Sequence, residues 1–284
     1  MIVVTGANGQ LGRLVVKGLM EKIQPSKIVA AVRNLEKAQD FRAFAIQIRE
    51  ADYDRPDTLE TAFAGAEKLL FISSSEVGQR EKQHRAVIDA AKKARIKLLV
   101  YTSILRADTS TLALAKEHKD TESYIRASGL PFVFLRNGWY LENQTTALAS
   151  ALEHGVILGA AQEGRFASAA RADYAEAAIA ILTGEGHENR VYELGGDEPY
   201  TLSQLAAEVA KQTGKPVVFQ NLPEEEYAKA LTGFGIPAPV AKAVADADAE
   251  AARGELDNSV HELSDLIGRP TMTLAEAVAI GLKG

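Results

Sequence analysis

Along the first 137 positions, short runs of consecutive apolar residues alternate with longer segments whose apolar positions return every three or four residues. Runs of four to eight apolar or β-branched residues read as buried strands, and the 3.6-residue period reads as helices facing a core. The pattern predicts strands over 2–4, 28–32, 46–52, 68–72, 98–103 and 132–136. Helices are expected over 11–20, 35–45, 58–63, 79–94 and 115–128, the last stopped by Gly129 and Pro131. Such a βαβ series requires right-handed crossovers and gives an α/β fold with a doubly wound parallel sheet.

After about residue 150 the rhythm changes to short apolar pieces at 155–159 and 165–168, then an alanine-rich helix ending at Thr183. One more strand, over 190–195, is expected to return to the main sheet. Thr201 and Gln204 form a capping box ahead of a helix reaching 213, a late strand covers 217–220, and the remainder is mostly helical. The expected division is a nucleotide-binding domain over 1–150, with 190–195 returning to it, and a smaller, mostly helical C-terminal lobe over 151–284 packed on the sheet edge.

In doubly wound sheets ligands bind outside the carboxyl ends of the strands, so the residues that end each strand are the candidates for chemistry. The first strand runs into Gly6, Gly9 and Gly12, spaced G-x-x-G-x-x-G, with Asn8, Gln10 and Leu11 between them. Glycines at a strand-to-helix turn permit tight reversal and close backbone approach, which brings the helix N-terminal amides onto a pyrophosphate. The second strand ends in Arg33, where an acid would take the ribose hydroxyls of NAD. A guanidinium there can grip a 2′-phosphate, so Arg33 points to NADP(H). Asp52, closing the third strand, can accept from an adenine amino group or shape the entry to the following helix. Ser73, Ser74 and Ser75 close the fourth strand, and Asn137, Trp139 and Tyr140 follow the sixth. Trp139 and Tyr140 are either core aromatics or a flat wall for a planar ligand, and their place at the ligand edge favours the wall.

Composition narrows this further. The 284-residue chain has a formal charge of -6 and no cysteine, which removes disulfides, thiolate nucleophiles and Cys-based metal centres and argues against a nucleic-acid partner. Its five histidines lack metal-ligand spacing, so no metal site is expected. No apolar run approaches membrane-span length, and the first strand begins at residue 2, leaving no room for a leader; a cytoplasmic protein without a membrane partner is expected.

Four stretches resemble the NmrA-like atypical short-chain dehydrogenase/reductases: Thr5-Gly6-Ala7-Asn8-Gly9-Gln10-Leu11-Gly12, Ala31-Val32-Arg33-Asn34, the segment 69–80, and Leu135-Arg136-Asn137-Gly138-Trp139-Tyr140. Ala170-Arg171-Ala172-Asp173-Tyr174 and Gly186-His187-Glu188-Asn189 extend the resemblance over essentially the whole chain. It implies a Rossmann-type sheet, NADPH as coenzyme, and direct hydride transfer to a quinone by a monomer or homodimer. It also leaves room for two other activities, reduction of triphenylmethane-dye-like electrophiles and NADP(H)-dependent redox sensing without turnover. The Tyr-x-x-x-Lys dyad of ordinary short-chain dehydrogenases falls on Leu114 and His118, so it is missing. His118 becomes the titratable candidate, as a proton donor, as a partner of the nicotinamide ribose, or as a structural histidine. The coenzyme is expected on Gly6 to Gly12, Arg33, Asp52 and Ser73 to Ser75, and the quinone near Asn137, Trp139 and Tyr140.

Overall fold

The apolar runs at 2–4, 28–32, 68–71, 98–104 and 132–137 become parallel strands because they are buried on both faces and flanking helices cover the sheet. The structure, a computed structural model, describes residues 1–283. In chain order the elements are β1 (Ile2–Val4), α1 (Gln10–Lys22), β2 (Ile28–Val32), β3 (Gln47–Glu50), α2 (Pro56–Phe63), β4 (Lys68–Phe71), α3 (Arg80–Lys93), β5 (Leu98–Ile104), α4 (Ala115–Ser128) and β6 (Phe132–Asn137). There follow α5 (Glu142–Thr145), α6 (Leu148–His154), β7 (Val156–Gly159), α7 (Arg171–Thr183), β8 (Arg190–Leu194), α8 (Leu202–Thr213), β9 (Val218–Asn221), α9 (Glu224–Gly233), α10 (Ala238–Ala251), α11 (Glu262–Ile267) and α12 (Leu274–Gly281). The seven-stranded sheet has the order β3-β2-β1-β4-β5-β6-β8, the doubly wound arrangement expected from the sequence, with β1 between β2 and β4.

Two expectations change in detail. The stretch 35–45 forms a 3-10 run, Glu36–Phe44, instead of an α-helix. Its buried side chains, Ala38 and Phe41, lie three residues apart, the period of the tighter helix, and Asn34 Oδ1 accepts from the Glu36 and Lys37 amides to start it. The third strand stops at Glu50, short of Asp52, because it is the sheet's edge and the chain turns at once into α2.

The chain divides into two compact units that do not follow one another as consecutive blocks. The first comprises Met1–Ala107, Glu117–Asn137 and Arg171–Tyr192. Its core is built from the inner faces of the strands and helices, with Val3, Leu69, Leu99 and Phe134 fully buried. Helices α1 and α7 approach closely at Gly18, where a Cβ would lie 2.4 Å from Ile179 Cδ1. The second unit comprises Asp108–Lys116, Gly138–Ala170 and Glu193–Gly284. In it β7 pairs with β9 in a separate two-stranded parallel sheet, and the Thr201–Gln204 capping box starts α8 as expected.

One buried polar cluster ties three elements of the first unit together. Arg136 on β6 grips Glu122 on α4 with two charge-assisted bonds, Nε to Oε1 at 2.9 Å and Nη2 to Oε2 at 2.7 Å, and Ser103 on β5 donates to the same Oε1 at 2.6 Å. Both charged side chains are nearly enclosed, 5% and 6% exposed. Removing Glu122 strips a buried guanidinium of two charge-assisted bonds. Glu122→Ala is therefore expected to lose ~3–5 kcal/mol of stability, read from urea unfolding. A loss below ~1 kcal/mol would mean that water reaches Arg136.

Candidate coenzyme site

The site begins where β1 ends. Gly6 adopts φ +57, a conformation that costs glycine little, and the chain folds back so that the Gly9 amide donates to Gly6 O at 2.9 Å. Helix α1 then packs directly on the turn: a Cβ at Gly12 would lie 2.4 Å from Gly6 O and 2.7 Å from Ala7 Cα. At Gly9 it would come within 3.2 Å of Gly6 O. Helix α1 has no side-chain cap and no acid in its first turn, so the amides of Gln10, Leu11 and Gly12 face outward with the positive end of the helix dipole. Gly6, Gly9 and Gln10 are exposed, whereas Leu11 is anchored by a buried side chain. Such a cradle fits a pyrophosphate.

Asn8 is held by Arg13 on α1, whose Nε donates to Asn8 O at 3.3 Å and whose Nη2 bonds Asn8 Oδ1. The same guanidinium reaches Asp40 Oδ2 at 2.6 Å and Lys37 O at 2.8 Å and lies over the Phe41 ring. Arg13 thus fastens the glycine turn to the 3-10 run after β2. Sequence reading passed over it because an arginine in a first helical turn carries no signal by itself.

Beyond β4 the parallel ladder ends, and side chains take over its hydrogen bonds. The amides of Ile72, Ser73 and Ser74 donate in succession to Thr5 Oγ1 at 3.1 Å, Thr102 Oγ1 at 2.9 Å and His84 Nε2 at 3.0 Å. Tyr53 Oη adds support, 2.6 Å from Thr5 Oγ1 and 2.8 Å from Ile72 O. Because an amide can only donate, His84 Nε2 must accept, and the ring proton sits on Nδ1. That nitrogen donates to Thr121 Oγ1 at 2.8 Å, and Thr121 donates onward to Glu117 O at 2.8 Å. Burial, helped by the nearby Arg80 charge, pushes the His84 pKa down to about 3, so the acceptor is neutral. His84 shares the inner face of α3 with Arg80, Gln83 and Val87. Polar residues on an otherwise apolar stripe were the available signal.

His118 is nearly enclosed, 5% exposed. Arg80 Nη1 lies 3.5 Å from its Nε2 and can only donate, so the other nitrogen, Nδ1, carries the proton and gives it to Tyr101 Oη at 2.8 Å. Burial, then the charge of Arg80, holds the pKa well below the ordinary histidine value. Both ring nitrogens face protein groups and the imidazole is neutral, an arrangement suited to positioning Arg80, which in turn donates from Nε to Ser74 O at 2.6 Å. It does not supply the imidazolium that a proton donor requires.

The other expected residues fall as follows. Arg33 lies one residue past β2 with its side chain 69% exposed, and its Nη1 pairs with Glu76 Oε1 at 2.6 Å. Asp52 uses Oδ1 to accept from the Asp54 amide at 3.1 Å, the local turn chemistry that leads into α2. Ser73 and Ser74 are half-buried, whereas Ser75 is exposed. Asn137, the last residue of β6, is 5% exposed, and its Oδ1 is buried without a hydrogen-bond partner among the described residues, an acceptor that a donor group could satisfy. Trp139 and Tyr140 belong to the second unit, with backbone bonds from Ala169 N–H to Trp139 O at 3.2 Å and from Leu141 N–H to Ala169 O at 3.0 Å fixing the segment. Among the described residues no acidic or histidine cluster could hold a metal, and no helix is long and apolar enough to cross a membrane.

A glycine cradle, an uncapped helix and a cation past β2 define a dinucleotide-binding protein, and the chain belongs to the NAD(P)H-binding family, whose model matches residues 6–185. Among individual relatives it is 53% identical to Quinone oxidoreductase 2 of Escherichia coli (strain K12) over 279 residues, covering 98% of each chain. The crystal structure of the Escherichia coli NADPH-dependent quinone oxidoreductase complexed with NADPH superposes with a TM-score of 0.97 at 52% identity, covering 100% of both chains. The Citrobacter sp. triphenylmethane reductase complexed with NADP(H) matches at 38% identity and a TM-score of 0.95, over 99% of this chain and 100% of that one. The resemblance to NmrA-like short-chain dehydrogenase/reductases drawn from the sequence is borne out.

The neutral histidines make a pH prediction. A folded His84 that refuses protons down to about pH 3, against 6.5 when unfolded, leaves the unfolded state binding the extra proton between those values. Stability contributed by His84 is thus complete above 6.5 and falls as the pH drops, by up to ~1.4 kcal/mol per pH unit. Asp248, raised by burial to about 7, acts with the opposite sign, so the comparison must be between variants. His84→Gln is expected to be less stable at about pH 7.5 and to lose less than the parent on going from about pH 6.5 to about 5. An equal pH slope, by denaturant titration at each pH, would show that His84 is protonated in the folded protein.

Proposed function

We propose that the protein reduces quinones at the expense of NADPH by direct hydride transfer. The observation that carries the coenzyme part is Arg33 at the carboxyl end of β2, beside an anion cradle of uncapped α1 amides. The acceptor part rests on full-length similarity to an enzyme named as a quinone oxidoreductase.

In this reading Gly6 to Gly12 receive the pyrophosphate, with Gly12 holding the helix against the turn, and Arg33 receives the 2′-phosphate. Ser73, Ser74 and Ser75 line the coenzyme edge beyond β4, and Asp52 the adenine side. Asn137, Trp139 and Tyr140 receive the quinone. NADPH supplies a hydride when bound, and a quinone that takes a hydride and one proton becomes a hydroquinone. Water supplies that proton, since His118 is neutral and enclosed. A quinone offers only acceptors, whereas the hydroquinone offers O–H donors, so the buried Asn137 Oδ1 suits the product better than the substrate. The chemistry asks for proximity and orientation rather than a strong acid. The protein acts in the cytoplasm on a small molecule, as a monomer or homodimer, without a nucleic-acid, membrane or metal partner.

A second reading has a specific observation behind it: with Leu114 and His118 in place of the dyad, a protein that binds NADP(H) and senses its redox state needs no further chemistry. A dye-like electrophile is the third. Absorbance-followed oxidation of NADPH and NADH with several quinones, a triphenylmethane dye and no acceptor separates them. Quinone-dependent turnover that prefers NADPH is expected; tight NADPH binding with no turnover would favour the sensor. Arg33→Glu is expected to weaken NADPH binding ~10-fold or more while changing NADH binding less. Equal losses for both coenzymes would remove Arg33 from the 2′-phosphate site.

A further inference from the structure

The arginine that marks the 2′-phosphate position is already engaged. Arg33 follows β2 and Glu76 follows β4, and β1 lies between those strands, so the 2.6 Å Arg33–Glu76 ion pair runs across the carboxyl end of β1, over the glycine turn. Glu76 is held in place by its neighbours. Its amide donates to Ser74 Oγ at 3.1 Å, and its second oxygen accepts from Gln83 Nε2 at 2.9 Å. Gln83 itself is 2% exposed and also donates to Asp54 Oδ2 at 3.0 Å, so the carboxylate is presented to Arg33 from a fixed support on α3. Hydrogen bonding from Gln83, then from Arg33, keeps the Glu76 pKa below its ordinary value, and the group is fully charged at neutral pH.

We propose that Glu76 is a specificity-determining residue: it holds Arg33 across the coenzyme cradle, and a 2′-phosphorylated adenosine nucleotide must exchange the carboxylate for its own phosphate to gain the guanidinium. The proposal rests on the NADPH reading above. The exchange is feasible because the two side chains are 69% and 41% exposed, and an ion pair in that setting contributes little. A phosphate dianion offers Arg33 more charge and a bidentate acceptor. Without the 2′-phosphate, NADH has nothing to exchange and leaves the pair closed. Glu76 therefore lowers affinity for the phosphorylated coenzyme selectively, which keeps the coenzyme exchangeable between turnovers.

The test is equilibrium binding, by titration calorimetry, of NADPH, NADH and 2′,5′-ADP to the parent, Glu76→Gln, Arg33→Ser and the double variant. In Glu76→Gln the new side-chain amide oxygen still accepts from Gln83, but the charge that attracts Arg33 is gone. This variant is expected to bind NADPH and 2′,5′-ADP roughly two- to five-fold more tightly and NADH unchanged. The gain should shrink at about 1 M salt, where surface charges are screened. In the Arg33→Ser background the same substitution should change NADPH affinity by less than about 1.5-fold, because Glu76 acts through Arg33. Unchanged or weaker NADPH binding by Glu76→Gln overturns the exchange, and so does an equal gain without Arg33. Failure of the NADPH reading looks different: the parent would show no preference for NADPH, or Arg33→Ser would lose none.

Discussion

A parallel sheet satisfies its own amides only as far as the strands run, and this protein's coenzyme edge depends on how the next few are satisfied. Past Phe71, the amides of Ile72, Ser73 and Ser74 each take a side-chain acceptor from a different element: Thr5 beside the glycine turn, Thr102 on β5 and His84 on α3. An unpaired buried amide costs as much as a lost hydrogen bond, so these three acceptors determine where the serines stand relative to the cradle. The requirement extends inward. Only a neutral His84 can accept at Nε2, and its burial beside Phe71 and Tyr101 keeps it neutral.

The charged groups divide by depth. Deep in the first unit, Arg136 and Glu122 are matched oxygen for nitrogen, and the pair with Ser103 joins β5, α4 and β6. Pairing at that depth leaves no charge free for chemistry, consistent with a site that lacks a strong acid. Near the surface, Arg13 and Arg33 flank the cradle with partners that water also reaches. Arg13 braces the turn through bonds to several backbone and side-chain groups around it, whereas Arg33 pairs with one exposed carboxylate, a contact that contributes little. The same residue type is held by many groups in one place and by a single exposed carboxylate in the other.

The loss of the Tyr-x-x-x-Lys dyad fits this layout. His118 stands where the lysine would, yet it is neutral and enclosed between Tyr101 and Arg80. Its contact passes through Arg80 to the Ser74 carbonyl, and both of its ring nitrogens face protein groups. Hydride transfer to an already electrophilic ring tolerates that arrangement, because orientation matters more than general acid catalysis.

The strands and the glycine turn were legible in the sequence because their signals are local: β-branched runs too short for helices, and three glycines at intervals that suit a strand-to-helix turn. Arg33 was legible for the same reason, standing one residue past a strand. The stretch 35–45 was misread as α-helix because its 3-10 period rests on only two buried residues, Ala38 and Phe41. His84, Thr102, Tyr53 and Arg13 were not legible as site residues, since each acts through a contact with a segment between 5 and 48 residues away in sequence. The protonation of His118 was equally out of reach, for a pKa follows from burial and from neighbours the chain brings together only on folding. By itself the sequence determined the parallel sheet, the glycine turn and the cation just past the second strand; tertiary structure alone decided which side chains complete the hydrogen bonds beyond the strands, because those partners become neighbours only when the sheet closes.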